Sequence, residues 1–317
     1  MAQNKRLVGI DVAKAKIDAS IRGASQLRTF EATAEGEAEL IAWLRKHRVD
    51  MAIIEASGGY ERPWAAALRK ADIAVRIVNP KRVRRFAEAA GRLAKNDPID
   101  AGLIAWFGEV FDEPAQLHDP EREDLQAMVV ARHGLIEMQQ QLANRGEHDM
   151  PKVVSQAFAM VAKVLAKALA KLEAAAVAAV KAKPQFAARA EIITSVPGLG
   201  MISAAVCIAR LPELGEVNNK AIGALLGGAP YDDDSGEHRG VRHIKGGRRD
   251  LRSMLYMAIV GAATQHNPAI KAFYLRLRAR GKEGKVAIIA CMRKLVVILN
   301  TMIARGEKWD PIKHAVG

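Results

Sequence analysis

RLVGIDVAK (residues 6–14) is a short apolar run that closes on an acid, Asp11, and KIDASIRG (16–23) and SQLRTFEAT (25–33) follow at hairpin spacing. EGEAELIAWLRKHR (35–48) has helical periodicity, with Leu40, Ile41 and Leu44 on one face. MAIIEAS (51–57) is a β-branched run suited to a buried central strand, and Glu55 stands at its end. ERPWAAALRKAD (61–72) reads as a helix with an early proline, and AVRIVNP (74–80) as another strand. PKRVRRFAEAAG (80–91) and DPIDAGLIAWFGEV (97–110) complete the set as two helices.

Three strands, a helix, a strand, a helix and a strand is the order of a ribonuclease-H-like sheet, so an α/β domain is expected over residues 1–112. Residues 113–185 read as a helical, coiled-coil-like linker or dimerisation region. It ends in the alanine-rich AKVLAKALAKLEAAAVAAVKAK (162–183), with breaks marked by Pro151 and Pro184. Residues 186–317 read as mainly α, interrupted by one long polar loop at 229–247.

Half of the 317 residues are hydrophobic, which excludes a disordered chain, and the formal net charge is +13. Lys and Arg outnumber Asp and Glu by 19 to 15 in residues 1–112. They match them 9 to 9 in 113–183 and exceed them 20 to 11 in 184–317. An acidic partner is implied, most simply nucleic acid, with the C-terminal part offering the broader phosphate-contacting surface. Charge alone would equally suit a ribosome-binding or membrane-surface protein. Cys207 and Cys291 lie in apolar stretches and read as buried thiols of a reducing compartment, and the eight histidines show no metal-ligand spacing. The N-terminus has no signal-peptide core, and Lys or Arg breaks the longest apolar runs. A cytoplasmic protein without a membrane span is expected.

The acids carry the chemistry. Phosphodiester cleavage needs an activated nucleophile, charge neutralisation at phosphorus and a stabilised leaving oxygen. Two divalent ions about 3.5–4 Å apart supply all three, and carboxylates are the ligands magnesium prefers. Asp11 and Glu55 close two strands that neighbour each other in such a sheet. Asp97 and Asp100, three apart at a helix start, share one face. Singly, Asp97 is also a good helix cap, Asp11 a turn residue and Asp100 a first-turn acid facing the helix dipole.

GIDVAK, IIEASGGYERP and KNDPIDA, in that order, resemble the DEDD transposases of bacterial insertion sequences, a family that includes pilin-gene invertases. ITSVPGLGMISAA and NNKAIGALLGGAPYDDDSGEHRGVRHIKGGRRDLRSMLYMA extend the resemblance to the C-terminal half. It implies a RuvC-like N-terminal domain, a helical linker and a separate transposase domain. It also implies a Mg2+-binding tetrad, holding two ions, at Asp11, Glu55, Asp97 and Asp100. The same resemblance places a catalytic serine at Ser235, whose hydroxyl attacks a DNA phosphodiester and forms a covalent protein–DNA intermediate. A non-coding bridge RNA that pairs with donor and target DNA is a further implication. So are dimers and tetramers in which one subunit's acids work with another's serine.

Around Ser235, Gly236 permits close backbone approach to a phosphate, and Arg239, Arg242, Lys245, Arg248, Arg249 and Arg252 are candidate phosphate contacts. Asp232, Asp233 and Asp234 would repel DNA unless they bind metal, pair with these arginines or face solvent. Gly198 and Gly200, in SVPGLGMISAAVCIA, fit one hairpin of a helix-hairpin-helix phosphate contact, and equally an ordinary helix–turn. Arg276, Arg278, Arg280 and Lys282 form a basic helix face, and Tyr60 reads either as a stacking residue or as a core tyrosine. Two other functions fit less of the chain. One is a Mg2+-dependent junction resolvase using water, with Ser235 incidental; the other is a non-catalytic nucleic-acid-binding protein.

Overall fold

The protein is described here by a computed structural model. It covers residues 5–24, 27–92, 97–113, 119–228, 230–231, 234–235, 238–239, 243–244 and 246–315, with backbone only at 97–99, the short strands beyond 229, and 314–315. The chain divides into two compact units, residues 1–118 and 119–317.

In the first unit the strands β1 (Leu7–Val12), β2 (Lys16–Ile21), β3 (Leu27–Glu31), β4 (Met51–Glu55) and β5 (Ala74–Val78) form one sheet in the order β3-β2-β1-β4-β5. The β1–β2 and β2–β3 pairs are antiparallel, whereas β1–β4 and β4–β5 are parallel. This is the ribonuclease-H-like arrangement expected from the element order. Alternation along the strands sorts side chains onto two faces. Val8, Ile10, Ile17, Ala19, Phe30 and Ile54 pack against α1 (Ala34–Lys46) and α2 (Glu61–Lys70) through Leu40, Trp43, Leu44, Trp64 and Leu68. Leu7, Met51, Ile53 and Val78 pack on the other face, against α3 (Pro80–Ala89) and α4 (Asp97–Val110) through Val83, Ala87, Leu103, Ile104 and Phe107.

Local chemistry fixes the helix ends. The Thr33 hydroxyl accepts the Gly36 amide at 3.1 Å at the start of α1, and Asn79 caps α3 ahead of Pro80. Arg76, on β5, is 2 % exposed, and its guanidinium donates to the carbonyls of Gly108, Phe111 and Glu113 at 2.6–3.0 Å. A buried cation thereby satisfies carbonyls that the C-terminal end of α4 would otherwise leave unpaired.

α4 lies hard against β1 because Gly9 has no side chain. A Cβ there would sit 2.0 Å from the Ala101 oxygen and 2.3 Å from the Ala105 nitrogen. Gly9→Ala is therefore expected to push α4 off the sheet and destabilise this unit by about 2–3 kcal/mol. Urea unfolding of the two proteins measures the difference.

The second unit is helical. α5 (Pro120–Gly146) and α6 (Lys152–Ala182) form a long hairpin, followed by α7 (Pro184–Thr194), α8 (Met201–Arg210) and α9 (Asn219–Leu226). Four two-residue strands come next: β6 (Pro230–Tyr231), β7 (Asp234–Ser235), β8 (His238–Arg239) and β9 (His243–Ile244). α10 (Arg249–Gly261), a π-helical turn (Ala262–His266), α11 (Pro268–Ala279), α12 (Gly284–Arg305) and α13 (Pro311–Ala315) complete the chain. The core is built on α8 and α12, where Val206, Ile208, Met292, Leu295 and Leu299 are buried. Cys207 and Cys291 are free buried thiols in that core, as their apolar contexts implied, and burial raises them to about 12 and about 11.

α6 and α12 both have the length and apolarity of a span. Half of the apolar window of α12 is buried in the core, whereas that of α6 is not. The apolar window of α6 holds no more than two charged residues, few enough for its mean hydropathy to stay high.

Candidate active site

The sheet register sets acids in a row. Asp11 pairs with Asp18 across β1–β2, Asp18 with Thr29 across β2–β3, and Glu55 with Val78 across β4–β5. Ile10 pairs with Ile54, so Asp11 and Glu55 are the next residues along adjacent parallel strands. Strand alternation then decides the face. Asp11 shares a side with Leu7 and Gly9, Glu55 with Met51 and Ile53, and Asp18 lies opposite to Ile17 and Ala19. All three acids are therefore on the face covered by α4. Neighbouring strands are about 4.8 Å apart, which places the three within two strand spacings.

α4 brings the other pair to the same face. Positions 97 and 100 continue the helical stripe that runs on through Ile104 and Phe107, both buried against the sheet. Ala101 contacts the position of Gly9, two residues before Asp11. Asp100 is partly exposed; the side chain of Asp97 lies outside the described residues. Asp11, Glu55 and Asp100 each already engage a neighbouring group of the chain. Among the described residues, no group of three His, Cys, Asp or Glu side chains is gathered closely enough to hold a metal ion. The donor chemistry suits a hard divalent cation, since every acid on this face offers oxygen.

Glu61 supports the loop after β4. Its Oε2 accepts the amides of Ser57 and Gly59 at 3.0 and 2.8 Å and the Ser57 hydroxyl at 3.2 Å. Burial pushes its carboxyl up, but its own amide, those of Ser57 and Gly59 and the Ser57 hydroxyl together hold it below the usual range. Tyr60, beside it, is 50 % exposed, which removes the core reading of that tyrosine.

In the second unit the polar loop is a pair of short hairpin rungs. Tyr231 pairs with His243 and Pro230 with Ile244; nearer the tip, Ser235 pairs with His238 and Asp234 with Arg239. Ser235 thus stands in a described rung opposite His238. Gly236, Arg242, Lys245, Asp232 and Asp233 lie outside the described residues, as do the side chains of Ser235 and Arg239.

The mouth of this loop is pinched shut. A Cβ on Gly247 would fall 2.3 Å from the Cα of Gly227, whose φ of +73° ends α9. Arg252 Nη1 donates to the carbonyls of Leu226 at 2.7 Å and Gly246 at 3.1 Å, joining both stems. Arg248 holds Glu213 through two bonds of 2.6 and 2.7 Å and the Arg210 carbonyl at 2.8 Å. Both guanidiniums are committed to partners within the protein, while Arg249 is exposed. Gly198 has a φ of +93°, and a Cβ there would meet Ala262 at 2.9 Å, so packing alone demands glycine. Gly200 has open space and begins α8 without a side-chain cap, leaving its first amides to other partners.

Asp18 was not among the acids singled out in the sequence. Alternation in KIDASI puts Ile17, Ala19 and Ile21 on one face and Asp18 on the other, but its place beside Asp11 needs the β1–β2 register.

Two family models match successive parts of the chain. The profile of the IS110 DEDD transposases matches residues 8–158, and that described as "Transposase IS116/IS110/IS902 family" matches residues 190–275. The chain is 25 % identical over 322 residues to the pilin gene-inverting proteins of Moraxella lacunata and Moraxella bovis, covering 98 % of this chain and 99 % of theirs. It is 28 % identical over 121 residues to a 43.6 kDa protein of insertion element IS110 from Streptomyces coelicolor, 38 % of this chain and 30 % of that one. Among solved structures, RuvC of T. thermophilus in complex with a Holliday junction substrate aligns with 36 % of this chain and 99 % of its own, at 13 % identity and a TM-score of 0.28. The fold assignment rests on the strand order and not on that last likeness. With one transposase family matching both parts of the chain and its first motif falling on the acid-bearing sheet, the protein belongs to the IS110 family of DEDD transposases.

Proposed function

We propose that this transposase cuts and rejoins donor and target DNA of an insertion sequence through a serine–DNA intermediate, with sites chosen by a bridge RNA. The observation that carries the reading is the convergence of Asp11 and Glu55 with the first turns of α4 on one sheet face. It is joined by a serine paired with His238 in a loop whose stems are pinned together. Asp11, Glu55, Asp97 and Asp100 would hold divalent ions, magnesium by ligand preference, which when bound neutralise phosphate charge and activate oxygen nucleophiles.

The chain's own residues do the rest. Asp11 and Glu55, on adjacent strands of a rigid sheet, fix two ligand positions, and α4 adds two more from across Gly9. The Ser235 oxygen forms a bond to phosphorus as the strand's bridging P–O bond breaks, and the leaving oxygen takes the proton that the serine gives up. The bond energy of the phosphodiester is kept in the intermediate, which permits rejoining without an external energy source. Arg252 keeps the loop stems together, Arg248 anchors the second of them to Glu213, and exposed Arg249 is available to contact DNA. Met138, Val153, Met160, Val161 and Val164 are exposed on the α5–α6 hairpin. Such apolar side chains support assembly into dimers and tetramers, in which the acids of one subunit serve the serine of another.

RNA guidance predicts a direct outcome. Protein purified with the transcript of its element's non-coding ends joins donor and target DNA, and ribonuclease treatment before DNA is added abolishes joining. Undiminished joining at the same sites after that treatment would mean that the protein itself reads the sequence.

A further inference from the structure

We infer that the outer side of α3 is a phosphate-contacting surface for the DNA strand cut at the acid row, with Lys81 and Arg85 as its contacts. The inference rests on the DNA-cutting role proposed above and names residues that hold the substrate there.

The first half of α3 carries Lys81, Arg82, Arg84 and Arg85, and its first turn has no acid. Cations near a helix N-terminus face the positive end of the helix dipole, so four of them there do not serve the helix. Two of the four have local partners. Arg82 holds Glu113 at 2.7 Å and lies over the rings of Phe107 and Phe111. Arg84 reaches Glu88 at 3.3 Å in an exposed pair whose order, cation before acid, is the less favourable one. Lys81 and Arg85 are exposed and form no ion pair among the described residues. Val83 and Ala87 are buried towards the sheet, so Lys81 and Arg85, one turn apart, stand on the opposite side of the helix. The Lys81 amide already donates to the Asn79 side chain at 2.9 Å, so the surface is made by side-chain charge and not by the helix end.

The register ties this surface to the acids. Glu55 pairs with Val78 across β4–β5, and Lys81 is the third residue after Val78. Strand spacing and chain reach leave at most about 16 Å between the Cα atoms of Glu55 and Lys81. A DNA strand advances about 3.4 Å per nucleotide, so a phosphate held by Lys81 is within about five nucleotides of one at the acids. α3 covers the same sheet face as α4, the face on which the acids stand. Carboxylates repel an approaching phosphate strand. Two free cations beside them offset that repulsion and fix the strand's position without reading its sequence.

The test is binding of the full chain to a fluorescein-labelled duplex of its element's end, followed by anisotropy across a series of NaCl concentrations. Lys81→Gln/Arg85→Gln should flatten the plot of log affinity against log salt by roughly two, about one for each lost phosphate contact. Its melting temperature should not fall, because the charges removed oppose the helix dipole. Lys163→Gln/Lys167→Gln removes the same charge from exposed positions of α6 and should keep the wild-type slope. An equal loss there would make the effect one of net charge and overturn the proposal. A wild-type slope in the α3 variant would overturn it as well. So would a loss seen only with the element's transcript as probe, which would make α3 an RNA surface. If the double variant fails to fold, Lys81→Gln alone should lower the slope by about one, while Lys81→Arg/Arg85→Lys keeps it; an unchanged slope in Lys81→Gln sinks the idea. Cutting of the same duplex, with transcript supplied, separates the two levels. If Asp11→Asn loses cutting while the α3 variant keeps the wild-type slope, α3 is excluded and the acids stand. A duplex left uncut by the wild type removes the acid-row reading and the proposal with it.

Discussion

Asp11→Asn is expected to lower strand cleavage by at least about 10³-fold, since a metal-held phosphate charge is worth several kcal/mol of barrier. The variant keeps the shape of the side chain and its place at the end of β1. The fold should survive, because Asp11 faces Asp18 across the strand pair and loss of one charge relieves repulsion. DNA binding should also persist, as the exposed basic residues of the second unit are untouched. Cleavage of a labelled donor end, measured beside a filter-binding assay, reads both quantities. Near-normal cleavage would mean that the acids on this face are a structural cluster only.

Ser235→Ala is expected to abolish the covalent adduct and to lower joining on the order of 10⁴-fold or more, as loss of a nucleophile does elsewhere. Ser235 pairs with His238, and the stems of the loop are fixed by Arg252 and by the Gly227–Gly247 approach. A missing hydroxyl there should leave those anchors, and the melting temperature, unchanged. The comparison that matters is cutting against adduct. A variant that forms no adduct but still nicks DNA would assign the attack to water and make the enzyme a resolvase-like nuclease.

Much of the first unit was legible from local pattern. The alternation in LVGIDV and KIDASI and the apolar run MAIIE specify strands, and three strands before the first helix leave few sheet orders open. Asp11 and Glu55 were legible because both end apolar strands, and Asp97 and Asp100 because they open a helix. Their common face was not, since it depends on a contact between Gly9 and Ala101 that no local pattern encodes. Asp18 stayed hidden for the same reason: its neighbour is set by register, not by spacing. The arginines after Ser235 show the opposite case. Their density suggested phosphate contacts, yet Arg248 and Arg252 hold Glu213 and the carbonyls of the loop stems. A cation's partner is chosen by tertiary structure, and composition reports only its charge.

The covalent intermediate is the most direct test. The full-length protein, incubated with its element's DNA, transcript and MgCl2, would be denatured and digested, and the DNA-linked peptide identified by mass spectrometry. The account predicts one nucleotide-bearing peptide, modified at Ser235 and absent from Asp11→Asn. DNA cut with no linked peptide, or a link at any other residue, would contradict it.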